Sequence, residues 1–428
     1  MEPTIALDLT CLFIAPLSPT PRGIDRVELA YARHFLNNWR GDCVAVLPTP
    51  WGVRFFDRTR VLRGIRVVEN LWREKISIDE DQAYKNTISA IEGHTNSVAT
   101  TANDPRPSLL NKVAGFYRII TGAGFTFGAP CHRSLPRGSI YLNVGQLEIL
   151  RSFFWWLRRR PDVISVFMLH DIIPIELPDH HLARGVKLHK AIVRNLEEFA
   201  TALIFPSQAA HESALNEFKK FSTRNFRTHV ELLPVPSEFL IPSNLDLTPF
   251  KSTYFMTCGV IEAHKNYLFL LKVWEKLVTS YGDATPKLVI AGYPGVTSEP
   301  TLKFLTERKS IQDHVIISAG LTTTALRHLM AGARALLMPS IAEGFGLPIV
   351  EALAQGTPVI ASDIPAHHEA GAQGDVTYIA PSDDAGWLAS IETFCRNPKR
   401  KTHYHGKTWD DYFRGIENFL SQLSNDLC

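Results

Sequence analysis

The sequence predicts an α/β chain of two doubly wound domains facing each other across a cleft. Three observations predict it. Short apolar runs alternate with helical patterns in both halves, which implies parallel sheets covered on both faces. Pro234, Pro236, Pro242 and Pro249 punctuate the middle of the chain and mark a linker near 234–250. The chain has 428 residues, more than one hydrophobic core usually serves. The expected boundaries are a first domain over 1–236, a second over 237–408, and a terminal helix over 409–428 that is free to return to the first domain.

The first half opens on an apolar strand-like run over Thr4–Thr10, followed by a turn-rich stretch over Pro16–Gly23. A helix is expected over Ile24–Leu36, where Ile24, Val27, Ala30, Tyr31 and Phe35 recur at helical spacing. Further strands are read at Cys43–Leu47, Ile140–Val144, Val163–Leu169 and Ala202–Phe205, with a helix over Leu182–Ala200 between the last two. Residues 79–136 are rich in Thr, Ser, Asn, Gly and Pro and read as a loose insertion. The second half has strands at Tyr254–Thr257, Lys287–Ala291, Val315–Ile317, Ala335–Met338 and Pro358–Ala361. Helices are expected at Asn266–Tyr281, Thr323–Ala331 and Pro348–Gln355, and an amphipathic one at Trp409–Leu423 after the basic stretch Lys399–Lys407.

Composition narrows the function classes. Hydrophobic residues make up 45% and charged residues 21%, the balance of a folded chain. A formal net charge of +2 gives no general basic field for nucleic acid. The first residues lack the basic and apolar regions of a signal peptide, and no apolar run approaches the roughly 20 residues that span a bilayer. The six cysteines form no C-x-x-C pair, so neither a zinc motif nor a disulfide framework is expected and a reducing cytoplasm fits. Cys258 reads as a small buried hydrophobe. His180–His181 and His367–His368 lack helical ligand spacing and read as loop residues, so no metal site is expected.

The chemistry concentrates in Met338-Pro-Ser-Ile-Ala-Glu-Gly-Phe-Gly-Leu-Pro-Ile-Val-Glu-Ala-Leu. A buried strand runs into a loop with Gly344 and Gly346 and then into a helix that Pro348 suits as a first residue. Free amides and the dipole at that helix start make an anion site. Glu343 and Glu351 flank it, and carboxylates accept from sugar hydroxyls. The pattern asks for a ligand with phosphate and polyhydroxyl parts. A solvated acidic helix start explains the same residues without any ligand.

This stretch resembles the Glu-x7-Glu signature of glycosyltransferase family 4, retaining enzymes of the GT-B fold. The resemblance continues through Gly356-Thr-Pro-Val-Ile-Ala-Ser-Asp-Ile-Pro, Glu369 and Tyr378-Ile-Ala-Pro-Ser-Asp, and upstream in Cys258-Gly-Val-Ile-Glu-Ala-His-Lys-Asn. Weaker matches are Arg22-Gly-Ile-Asp-Arg-Val-Glu-Leu and His170-Asp-Ile-Ile-Pro. It implies a GT-B pair of Rossmann-like domains, an acceptor-side one first and a nucleotide-sugar-binding one second. The resemblance further implies that Glu343 holds donor-sugar hydroxyls, Glu351 the ribose, and Lys265 the diphosphate. Amides around Phe345–Leu347 would touch sugar and distal phosphate, and Gly23 and Gly259 would let backbone approach. His264 stands where the family usually has a second cation, and histidine is only partly charged near neutral pH. His170 is expected to approach the reacting centre, or else to be hydrogen-bonded inside a turn. Arg26 reads as a salt-bridge residue.

The implied activity is metal-independent transfer of a hexose, mannose first, from GDP-mannose or a UDP-sugar in cell-surface polysaccharide synthesis. No other cofactor is expected. A hydrolysing sugar-nucleotide 2-epimerase and a non-catalytic nucleotide-sugar sensor are the competing classes. The acceptor is a glycan or a polyprenyl-diphosphate-linked sugar. Phe153, Phe154, Trp155, Trp156, Arg158, Arg159 and Arg160 read either as a peripheral contact with the inner face of the plasma membrane or as a buried helix capped by cations.

Overall fold

The computed structural model describes residues 2–14, 21–49, 52–73, 78–94, 119, 121–125, 128–145, 151–240, 252–397 and 404–427. The first sheet has β1 (Ile5–Asp8), β2 (Cys43–Thr49), β3 (Gly52–Phe56), β4 (Ala129–Pro130), β5 (Ile140–Asn143), β6 (Ile164–Met168), β7 (Ala202–Phe205) and β8 (Arg227–Val230). Its order is β4-β3-β2-β1-β5-β6-β7-β8. The second has β9 (Tyr254–Cys258), β10 (Lys287–Ala291), β11 (Val315–Ser318), β12 (Leu336–Met338), β13 (Val359–Ser362) and β14 (Val376–Ile379), in the order β11-β10-β9-β12-β13-β14. Every pairing in the second sheet is parallel, and its strands read as continuous apolar runs because helices cover both faces.

Strand order reverses beside β1 in the first sheet and beside β9 in the second. Ligands in such sheets sit where the order reverses, at the carboxyl ends of the strands. The loops that follow β1 and β6 meet those that follow β9 and β12 around one cleft, so the two reversal points face one another.

Several expectations need correction. The first strand stops at Asp8, and a short helix, Thr10–Ile14, follows at once because the Asp8 side chain caps it through Thr10. The first sheet is not wholly parallel: β3 runs antiparallel to β2, and β4 to β3. Strands β8 and β14 also extend the two sheets. Part of 79–136 is built rather than loose. The helix Gln82–Ile91, capped by Asp81, docks on the second domain, with Thr87 Oγ1 2.6 Å from Ser318 Oγ and Tyr84 bonded to His328. Residues 95–118, 120 and 126–127 of that stretch, most of the Pro16–Gly23 turn, most of the 234–250 linker and residues 398–403 of the basic stretch lie outside the described residues.

The aromatic-arginine run splits between the two readings. Phe154 and Trp156 are buried against Tyr141, so they cannot touch a membrane. Arg160 chelates Asp162, and Arg158 pairs with Glu198. Phe153 and Trp155 stay exposed at 37% and 56%. A short element in which alternate residues face inward has room for only half its rings in the core.

The helix Trp409–Leu427 packs on the first domain. Tyr412 Oη lies 2.7 Å from Tyr31 Oη, Phe413 stacks on His34, and Trp409 donates to the Val235 carbonyl. Tyr412, Ile416, Leu420 and Leu423 are essentially inaccessible, an upper-bound stabilisation of about 6–12 kcal/mol at roughly 1.5–3 kcal/mol per side chain.

Candidate active site

The loop after β12 is held from both sides. Asn266 adopts φ +60°, a left-handed conformation that asparagine tolerates, and its amide donates to the Pro339 and Pro381 carbonyls at 3.1 Å. That turn delivers the neighbouring Lys265, whose Nζ lies 2.6 Å from Glu343 Oε1. Ser340 Oγ donates to the same oxygen at 2.7 Å. Burial opposes ionisation of Glu343, but the Lys265 ammonium and further donors outweigh it and hold the carboxyl at about 2. Because that is below the ordinary 4.5, the pair stabilises the fold fully above pH 4.5 and loses its contribution as pH falls towards 2. The loss amounts to about 3 kcal/mol. Urea unfolding of the wild type and Glu343→Gln across that window should diverge by this amount; parallel curves would contradict the pairing.

Gly346 caps the helix Leu347–Ala354 at φ +104°, a left-handed conformation that glycine adopts without strain, and the Ile349 amide donates back to its carbonyl at 2.9 Å. Gly344 has a different role. A Cβ there would run into the His170 carbonyl oxygen of the other domain, and Ser207 Oγ donates to the Gly344 carbonyl. Gly344→Ala should therefore wedge the domains apart and cut turnover by about 100-fold, the scale of a 1 Å misplacement. Steady-state kinetics would check it; near-normal turnover would show that the domains do not need this contact.

Glu351 is 3% exposed on the first turns of the same helix. Arg26 Nη1 from the first domain reaches its Oε1 at 2.8 Å, and the guanidinium also lies 5.3 Å over the Phe239 ring. Burial still pushes the Glu351 carboxyl up, against the pull of Arg26. Arg26 is thus a salt-bridge residue, as the sequence suggests, and its partner is one of the two signature glutamates.

His170 is 6% exposed at the end of β6 and donates Nε2–H to the Val144 carbonyl at 2.8 Å. Burial pushes its pKa down, so the ring is neutral. It lines a cleft of about 420 Å³ together with Gly23, Gly259, Lys265, Glu343 and Glu351. Gly344, Phe345, Gly346 and Leu347 line the same cleft. Gly23 opens the helix Gly23–Asn37 so closely to Leu347 that a Cβ would come within 2.9 Å of its Cδ1. His264 turns elsewhere. Its ring stacks on His181 with centroids 5.1 Å apart, and burial together with the Lys265 charge holds its pKa at about 4. It is neutral near pH 7 and does not supply the second cation.

The sequence names two further residues without showing what they do. Glu369 accepts from the Gln208 and Ala209 amides at 2.6 and 2.8 Å, so a second-domain carboxylate caps a first-domain helix. His367 lies on the helix Pro365–Gly371, not in a loop, and is wholly buried. Its Nδ1 donates to the Ser362 carbonyl, Nε2 has no hydrogen-bond partner among the described residues, and Cδ2 lies 3.4 Å from where a Gly346 Cβ would stand. Pro365 at a first helical position was an available signal for that helix.

Residues 247–408 match the family described as Glycosyl transferases group 1. The chain is 32% identical over 179 residues to the O-antigen chain mannosyltransferase RfbU of Salmonella typhimurium, covering 40% of this chain and 48% of that one. It is 26% identical over 233 residues to O-antigen chain mannosyltransferase B of Escherichia coli, covering 53% and 59%. The chain thus spans about half the length of the curated relatives it matches. Among solved structures it resembles sucrose-phosphate synthase from Thermosynechococcus elongatus, with a TM-score of 0.56 at 15% identity, covering 99% of this chain and 95% of the other. An Escherichia coli structure described as trehalose-6-phosphate bound with UDP-2-fluoro glucose gives 0.54 at 10% identity, covering 99% and 96%. At such identities the likeness concerns the fold. The match to the group 1 glycosyltransferases thus lies in the second domain, over residues 247–408, and the whole chain has the two-domain GT-B fold.

Proposed function

We propose that this chain is a retaining glycosyltransferase that moves a hexose, mannose first, from a nucleotide diphosphate sugar to a glycan or lipid-linked acceptor in cell-surface polysaccharide synthesis. The observation that carries the reading is the Lys265–Glu343 pair set beside the start of the helix Leu347–Ala354, in a cleft lined by both domains. Breaking the bond from the anomeric carbon to the phosphate oxygen leaves oxocarbenium character on the sugar and negative charge on the diphosphate. In this reading Lys265 and the positive end of the helix dipole take that charge, and preorganised electrostatics of this kind is usually the largest catalytic contribution. Glu343 is ionised and accepts sugar hydroxyls. Glu351, with one oxygen on Arg26, takes the ribose. Neutral His170 offers its ring at the wall that the sugar would meet, and departing phosphate helps to deprotonate the acceptor on the same face.

Mannose as the sugar rests on the names of the O-antigen relatives, and GDP as its carrier on the family resemblance. For the acceptor, a groove of about 1240 Å³ runs along the helix Ala183–Phe199, mixing Lys187, Lys190 and Arg194 with Val186, Ala191 and Phe221. Cations beside apolar side chains suit a diphosphate on a polyprenyl chain. Exposed Phe153 and Trp155 beside Arg158 support peripheral contact with anionic lipid. No helix among the described residues is long and apolar enough to cross a membrane.

A thermal-shift screen over GDP-, UDP- and ADP-sugars, followed by nucleotide release with and without acceptor, tests the proposal. One donor should raise Tm, and acceptor-dependent release should follow with the anomeric configuration kept. No shift with any sugar nucleotide would sink the reading, and release of a 2-epimerised sugar without acceptor would replace it.

A further inference from the structure

A second cluster lies beside the donor cleft, where the domains touch. His181 comes from the first domain, just past the short turn Pro178–His180. Glu262 and His264 come from the second, in the loop after β9. Each residue offers one donor atom, and these atoms all lie within 4.8 Å of one another. Two of them are anomalous as ordinary packing. Among the described residues, His181 Nε2 and His264 Nδ1 are buried with no hydrogen-bond partner, although each ring nitrogen costs free energy when left so. Glu262 Oε2 stands 3.7 Å from His264 Nδ1, too far for a hydrogen bond.

An ion between them would satisfy all three. Two imidazoles on one tetrahedral ion, with nitrogen-to-metal distances of about 2.1 Å, have ring centroids about 5 Å apart. The His181 and His264 rings are 5.1 Å apart. A ligand set of two imidazoles and one carboxylate suits zinc and its neighbours rather than magnesium or calcium, which prefer all-oxygen sites.

We propose that His181, Glu262 and His264 form a site for a zinc-class divalent ion that ties the two domains together beside the donor cleft. The ion is a clamp and takes no part in bond breaking. Since its ligands come from both domains, it binds best when the cleft is closed, and anything else that favours closure binds it cooperatively. The site stands on its own geometry and does not depend on which sugar, if any, the cleft takes.

The test is a Co²⁺ titration of protein carrying no polyhistidine tag, followed by visible ligand-field absorption and displacement with Zn²⁺. Absorption saturating at one equivalent and lost on adding Zn²⁺ is expected. His181→Ala and His264→Ala should each weaken Co²⁺ binding by at least about 100-fold, at or beyond the upper end of what loss of an outer-shell partner costs. Glu262→Gln keeps the side-chain shape and should weaken it too, which guards against a histidine variant that merely unfolds; melting curves followed by circular dichroism identify such a variant. His368→Ala, an exposed histidine paired with Asp363, should bind as wild type. Wild-type protein without one-equivalent absorption would overturn the proposal, as would binding undiminished in folded His181→Ala and Glu262→Gln.

Discussion

Lys265→Ala is expected to lose sugar transfer by about 100- to 1000-fold, the usual effect of removing one preorganised charge from a site of charge development. One contact has two consequences. In the proposed reaction, the leaving diphosphate loses its nearest fixed cation. In the resting protein, Glu343 loses the ammonium that holds its carboxyl far below the ordinary range. A buried carboxylate left alone costs about 3–5 kcal/mol, so the variant should also melt earlier. Lys265→Met combined with Glu343→Gln separates the effects. Removing both charges should restore most of the stability, while transfer stays lost because neither the cation nor the hydroxyl acceptor returns. Kinetics and urea unfolding of the single and double variants check this. A double variant that regained transfer would mean that the pair is only structural.

Arg26→Ala is the other substitution with a large expected effect, and it acts across the domain boundary. The Arg26–Glu351 bridge is enclosed, with side-chain exposures of 9% and 5%. Removing Arg26 leaves Glu351 as an uncompensated buried acid, already disfavoured by its surroundings, at a cost of about 3–5 kcal/mol. Stability should therefore drop, and donor affinity with it, because the carboxylate assigned to the ribose is no longer held in place. Pairing Arg26→Met with Glu351→Gln should bring back the melting temperature without bringing back the affinity. If Arg26→Ala alone leaves both unchanged, the bridge does not organise the cleft.

How much of this was legible beforehand depended on distance along the chain. Glu343, Gly344, Gly346 and Glu351 fall within nine residues, and Lys265 lies in a short segment after a recognisable strand. Local order therefore wrote a readable pattern. The partners that complete the site come from far away: Arg26 for Glu351, Ser207 for Gly344, Gln208 and Ala209 for Glu369, His181 for His264. No periodicity links positions more than eighty residues apart, so those pairs leave no mark in a single sequence. Chemical type misled at His264. Its place beside Lys265 suggested a partial cation, whereas enclosure makes it a neutral ring. The run Arg151–Arg160 misled differently, since four adjacent aromatics look like one surface until alternate members turn inward.

The return of Trp409–Leu427 to the first domain bears on how the chain matures. Strands β9 to β14 are contiguous in sequence, so the second domain has every piece of its sheet once the ribosome has passed β14. The first domain must wait, because Tyr412, Ile416, Leu420 and Leu423 are made only after β14. Translation then delivers a finished C-terminal half before its older neighbour can close. At about 5–20 residues per second, the earlier half spends many seconds with an apolar flank uncovered.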